Sequence, residues 1–136
     1  MMASRLVTIV AVGERIAVAI DVRDGRAVGD GWASDAPGVD VVDAIERLAD
    51  AGVETFEVTA IERDGLLGGP DLGLYRRLVG RPGSIVASGG ITTLDDLGTL
   101  RDLGCDGAII GRAIYEGRID LRDALALAGA TDRPSA

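Results

Sequence analysis

The sequence predicts an α/β fold in which four β/α units lie along one domain, their strands parallel in a single sheet. Three observations carry this expectation. Short apolar runs recur at Arg15–Asp21, Thr55–Thr59, Ser84–Ser88 and Gly107–Gly111. A stretch with helical spacing of apolar residues follows each of the first three, and an Ala/Leu-rich stretch closes the chain. Strands alternating with helices in this way imply right-handed βαβ crossovers and so a parallel sheet.

Each element has its own reason. The run Arg15–Asp21 (RIAVAID) is nearly continuous, as expected for a strand covered on both faces. Asp24-Gly25 is a turn former, and Arg26 to Gly38 reads as a loop holding Trp32, the single Trp. Asp40 is placed to cap a helix whose apolar face is Val41, Ala44, Ile45, Leu48 and Ala51. Gly52 ends it. Thr55–Thr59 is the second strand, and Glu62–Pro70 a glycine-rich loop with a second Asp-Gly turn at Asp64. Asp71 opens a helix carrying Leu72, Tyr75, Leu78 and Val79, which Gly80, Pro82 and Gly83 break. Asp120–Ala128 is the last helix, with Leu121, Leu125 and Ala128 on one side.

The stretch Ser84–Gly117 organises the rest. Strand Ser84–Ser88 runs straight into Gly89-Gly90. Thr93 reads as a helix N-cap, with Asp95 and Asp96 in the first turn where the helix dipole favours acids. Leu94, Leu97, Leu100 and Leu103 give that helix one apolar edge, and Gly104 ends it. Strand Gly107–Gly111 follows, then Arg112 and a short helical segment. Two neighbouring parallel strands that both end in glycine suit a phosphate, because bare backbone approaches an anion closely and offers N–H groups. The same glycines equally suit tight strand-to-helix turns.

The chain of 136 residues fits one domain, with a core over about residues 13–128 and a frayed tail at 131–136. Formal net charge is −8 and all 14 basic residues are Arg, which argues against nucleic acid and anionic membranes as partners. With no Lys and no His, these residues support neither Schiff-base chemistry nor any step needing imidazole. The lone Cys105 precludes an internal disulfide and fits a reducing cytoplasm; its position between helix and strand suits a structural thiol. No acidic cluster has metal-ligand spacing. Leu6–Val12 is apolar but too short to span a bilayer, and reads as a strand or helix end packed on the domain.

Catalytic and binding groups of parallel β/α folds gather at the C-terminal ends of strands. Asp21 is the one acid in an otherwise apolar strand, placed at its end. Burial favours the neutral, proton-donating form of a carboxyl, which suits a general acid; the alternative is an Asp that caps its loop. Thr59 ends the second strand likewise and is either a hydrogen-bond donor to substrate or Asp21, or a plain strand end. Trp32 either stacks on a planar ring or packs its loop down. Arg112 either pairs with a phosphate or is a solvated first-turn residue.

Taken together, AIDVRDG, Gly31-Trp32, VTAIERDGLLGGPDL, ASGGI and GAIIGRAIYEGRIDL resemble the second half of the histidine-biosynthesis isomerase family, from Gly13 to Ala128 and in family order. That family acts on phosphoribosylformimino-aminoimidazole carboxamide ribotide. The cyclase subunit of imidazole glycerol phosphate synthase shares RDG and ASGG, but GRAIYEG favours the isomerase. The resemblance implies a (β/α)8 TIM barrel of two similar halves, of which this chain is the half holding strands five to eight. It implies an Amadori rearrangement of an aminoaldose to an aminoketose, with one Asp opening the ribose ring as acid and another removing the C2 proton as base. It implies no metal and no organic cofactor. Asp21 matches the acid, Thr59 the hydroxyl lining the site, Gly89-Gly90 and Gly111-Arg112 a phosphate cup, and Trp32 a loop aromatic that closes on substrate.

Two departures stand out. The first four β/α units are absent, and with them the base Asp and the second phosphate site. Ala60 stands where relatives often carry an acid. Closure of such a barrel takes eight strands, so four leave two open edges and an uncovered apolar face. The expected partner is therefore either a second copy, forming a homodimer of halves around a phosphorylated small molecule, or a missing N-terminal half. The other readings are a half-barrel that binds phosphosugars without turnover, and a domain that only completes another barrel.

Overall fold

The computed structural model describes residues 15–29 and 38–129. The expectations for Leu6–Val12, Trp32 and the tail 131–136 concern residues outside that set.

Strand β1 (Ala17–Arg23) starts and stops two residues later than its apolar run suggests. A hairpin is the cause. Asp24 and Gly25 both hold positive φ, 51° and 76°, as a two-residue turn matched to strand twist requires. Arg23 then pairs with Arg26, and β2 (Arg26–Val28) runs back antiparallel along Asp21–Arg23. β3 (Val39–Asp40) pairs with β2. The segment read as one loop from Arg26 to Gly38 therefore begins with a strand, and Asp21 is not the terminal residue of β1.

The remaining elements follow the pattern closely. Helix α1 (Val41–Asp50) is capped by Asp40, whose carboxylate accepts the N–H groups of Val42 and Asp43 at 2.9 and 3.3 Å. β4 (Thr55–Ala60) leads through the glycine-rich loop to α2 (Leu72–Leu78), capped by Asp71. β5 (Ser84–Ser88) precedes α3 (Leu94–Leu103). There Thr93 and Asp96 form a reciprocal capping box, each side chain accepting the other's N–H at 3.1 Å, and Gly104 closes the helix at φ 115°. β6 (Gly107–Ile109) is shorter than expected because its partner β5 ends at Ser88, opposite Ile109. α4 (Arg112–Tyr115) and α5 (Leu121–Leu127) complete the described chain.

The sheet order is β3-β2-β1-β4-β5-β6. Its parallel part, β1-β4-β5-β6, is the predicted set of four β/α units and forms part of a TIM barrel. Burial alternates along the strands. Ile20 and Val22, Phe56 and Val58, Ile85 and Ala87 lie under the helices against Val41, Ile45, Tyr75, Leu78 and Leu100. This one-sided burial corrects the expectation that β1 is covered on both faces. The uncovered face carries Ala17, Ala19 and Asp21 of β1, Thr55, Glu57 and Thr59 of β4, and Ser84, Val86 and Ser88 of β5. It is thus small and polar rather than apolar. The side of α5 expected to pack, Leu121 and Leu125, is about half exposed, and Ala124 is the buried residue instead. These leucines line an apolar groove of about 330 Å³ beside β6, the last strand of the sheet.

Candidate active site

Pairing in register builds a row across the uncovered face at the C-terminal end of the sheet. Asp21 lies opposite Thr59, Thr59 opposite Ser88, and Ser88 opposite Ile109. Adjacent strands stand about 4.8 Å apart, so Asp21 and Thr59 are immediate neighbours and Ser88 is one strand further. Asp21 is half-buried. Thr59 is half-buried too, and its hydroxyl makes no hydrogen bond to another described residue. Ser88 is 9 % exposed. Ala60 belongs to the opposite face and is buried among the core residues. An acid there would not join the row.

Past Ser88 the chain enters a cleft of about 100 Å³ lined by Ser88, Gly89, Gly90, Gly111 and Arg112, with Asp64, Gly65 and Leu67 from the β4–α2 loop opposite. That volume is well below the roughly 300–1,000 Å³ of a pocket that swallows a whole small molecule; it suits one group of a ligand. The glycines there have different causes. Gly89 and Gly90 hold φ of 101° and 80°. A Cβ on Gly89 would come within 2.7 Å of the Ala60 carbonyl oxygen, and one on Gly90 would meet the Gly69 carbonyl and lie 2.9 Å from Arg63 Cβ. The Gly90 carbonyl also accepts from Gly69 N–H at 2.9 Å and from Thr92 Oγ1 at 2.7 Å. The chain's own packing therefore demands both residues, as the turn reading held. Gly111 differs. Its φ is −108°, and nothing lies within 4 Å of where a Cβ would stand, so a side chain there would only fill the cleft.

Arg112 is on the cleft wall, but its guanidinium is engaged. Nη1 donates to the Gly65 carbonyl at 2.6 Å and Nη2 is 3.0 Å from Glu116. It braces the β4–α2 loop against α4, leaving its charge at the rim. Trp32 lies outside the described residues. Thr59 and Asp21 do not line the cleft; they continue its row one and two strands away, respectively. Ser88 and the loop residues Gly65 and Leu67 were not singled out from sequence. Ser88 was legible by parity, since counting in twos from Ser84 puts it on the face of Thr59. The β4–α2 loop gave no such signal, because a loop has no period.

Beneath the row, the Tyr75 hydroxyl accepts Ser88 N–H at 3.1 Å and lies 2.8 and 3.0 Å from the carbonyls of Ser88 and Val58. Burial raises its pKa, which keeps the phenol protonated and a donor. Cys105 is half-buried, and burial, helped by the Asp106 charge, pushes its thiol up to about 11. It is a protonated structural thiol at neutral pH. No group of three or more His, Cys, Asp or Glu among the described residues could hold a metal ion. No helix among them is long and apolar enough to cross a membrane.

A parallel sheet with an uncovered face, an acid and a hydroxyl in one row, and a glycine-lined cleft at the same strand ends define part of a β/α-barrel whose working end is at the C-terminal ends of its strands. The chain belongs to the family of histidine biosynthesis proteins, whose profile matches residues 4–120. It is 45% identical over 121 residues to a protein of Arthrobacter sp. (strain FB24), covering 86% of this chain and 48% of that one. It is 48% identical over 115 residues to one of Roseiflexus castenholzii, covering 84% and 48%, and 44% identical over 118 residues to one of Thermobifida fusca, covering 84% and 47%. Each of these relatives is named 1-(5-phosphoribosyl)-5-((5-phosphoribosylamino)methylideneamino)imidazole-4-carboxamide isomerase. The chain spans about half the length of these relatives.

Proposed function

We propose that this chain supplies one half of the active site of a histidine-biosynthesis isomerase, acting in the cytoplasm on a phosphorylated aminoaldose, and that turnover needs a second half-barrel. The carrying observation is the shared row of Asp21, Thr59 and Ser88 running into the Gly89–Gly90 and Gly111–Arg112 cleft. In this reading the cleft takes one phosphate of the substrate through backbone N–H groups, with the Arg112 charge at its rim. That anchors the sugar over the sheet face. Asp21 protonates the ribose ring oxygen as the ring opens, and Thr59 beside it orders the same oxygen or the carboxyl. Removal of the C2 proton needs a base, and the second half-barrel brings it along with a site for the other phosphate. That half is either a second copy or a complementary N-terminal half. A chain without Lys or His leaves carboxylates as its main proton-transfer groups near neutral pH, which agrees with an acid–base isomerisation.

The test is to mix the full chain with the N-terminal half of the Arthrobacter relative and follow conversion of the ribotide. Turnover should appear on mixing. Asp21→Asn should lower it by about 10²–10⁴-fold, the scale of a lost acid–base group, while binding of ribose 5-phosphate persists. A chain that binds the sugar phosphate equally well with and without Asp21, and never turns over, would be a binding half-barrel instead.

A further inference from the structure

The glycines that packing demands at the cleft are also the residues that restrain a backbone least. Gly89, at φ 101°, tolerates either orientation of the peptide that joins it to Ser88. Something else has to fix that peptide, and Tyr75 is placed to do so. The residue is fully buried on α2, and its hydroxyl meets the last rung between β4 and β5. It accepts Ser88 N–H at 3.1 Å and lies 2.8 Å from the Ser88 carbonyl and 3.0 Å from the Val58 carbonyl. A phenol has one proton to donate, so two carbonyl oxygens gather around one hydrogen. Without it both would be short of a donor beside the core.

No peptide bond among the described residues is cis. In a planar trans peptide the C=O and N–H point in opposite directions. Turning the Ser88 carbonyl to Tyr75, on the β4 side, therefore turns the Gly89 N–H toward β6. The cleft lies on that side, between Ser88–Gly89–Gly90 and Gly111–Arg112. Rotated the other way, the same peptide would present its carbonyl oxygen to an anion, a repulsive contact where an N–H is attractive. We propose that Tyr75 is a positioning residue for anion binding in the cleft: from the helix side of the sheet, its hydroxyl holds the Ser88–Gly89 peptide with the N–H end toward the ligand. The proposal rests on the reading that the cleft takes a phosphate, and it assigns part of that affinity to a side chain the phosphate does not touch.

The experiment titrates the full chain with inorganic phosphate, followed by amide chemical shifts, for the parent, Tyr75→Phe and Ile45→Val. Tyr75→Phe keeps the ring and should bind phosphate about tenfold more weakly, the scale of one hydrogen bond to a charged group. Ile45 is buried in the same core but on α1. Ile45→Val lowers stability without deleting a polar group, and should bind phosphate as the parent does. If Tyr75→Phe does not fold, the parent alone decides, because coupling between two sites is reciprocal. Saturating phosphate should then slow amide exchange at Ser88 by a larger factor than at Phe56. A Tyr75→Phe protein that binds within about twofold of the parent, an Ile45→Val protein weakened as much as Tyr75→Phe, or a Ser88 amide that phosphate protects no more than Phe56 overturns the proposal and leaves the phosphate reading standing. A parent chain that binds no phosphate sinks that reading, and the proposal with it.

Discussion

Tyr75 shows what one side chain does for the site from a distance. It is fully buried on α2, yet its hydroxyl ties the end of β5 to that of β4 directly under the Ser88–Gly89–Gly90 backbone. Tyr75→Phe keeps the ring and deletes the oxygen, leaving Ser88 N–H without that partner. A buried polar group left unpaired costs about 1–3 kcal/mol, so the urea midpoint should fall by that amount with the slope unchanged. A loss under about 0.5 kcal/mol would mean the strand ends are held by other bonds. The sequence marked Tyr75 only as an apolar position at helical spacing. Periodicity sorts residues by face and is blind to where a hydroxyl lands. The same limit applied to Arg112, whose bond to Gly65 spans 47 positions of sequence. Asp21, Thr59 and Ser88 were easier, because strand-end position and a period of two are written locally.

At the scale of elements, helix ends were the most legible feature. Asp40 and Thr93 cap the helices they were read to cap. The β2 arm of the hairpin was missed although its Asp-Gly turn was recognised, since three residues, Arg26–Val28, are too few to show alternation. The Asp40 cap also carries a pH signature. Its pKa is lowered chiefly by the Asp43 N–H that donates to it, with Val42 N–H and Arg77 at 3.3 Å adding to this and burial opposing it. A carboxyl whose folded pKa lies below its unfolded value stabilises the fold above the unfolded pKa, and that contribution is lost as pH falls through the folded one. Asp40→Ala should therefore cost about 0.5–2 kcal/mol at pH 7. The cost should shrink at an acid pH below the folded pKa, where the parent carboxyl is protonated too. Urea titrations of both proteins at the two pH values measure it; an equal cost at both would show that the charge contributes nothing.

At the scale of the whole molecule, the four parallel strands form part of a barrel, with one face of their sheet open among the described residues. The sequence predicted an uncovered face but took it for apolar, because β1 reads as continuous Ala, Val and Ile. The alanines turned out to be the open-face residues and the larger side chains the core. At the far edge, β6 pairs only with β5 among the described residues, and Ile109, which lines the glycine cleft, is 43% exposed. Backbone N–H groups of a parallel strand point alternately to its two sides, so among the described residues part of β6 has no ladder partner on its outer edge. In the chain alone, amide exchange should be slowest in β4 and β5, which are paired on both sides, and fast in residues 107–109. On the proposed reading, the N-terminal half of the Arthrobacter relative would supply a strand for that edge. Protection of 107–109 should then rise by a larger factor than that of 56–58 and 85–87, because β6 gains new hydrogen bonds while the central strands gain only the added global stability. Equal gains everywhere would mean that the second half binds without pairing to β6, and the barrel would not be closed there.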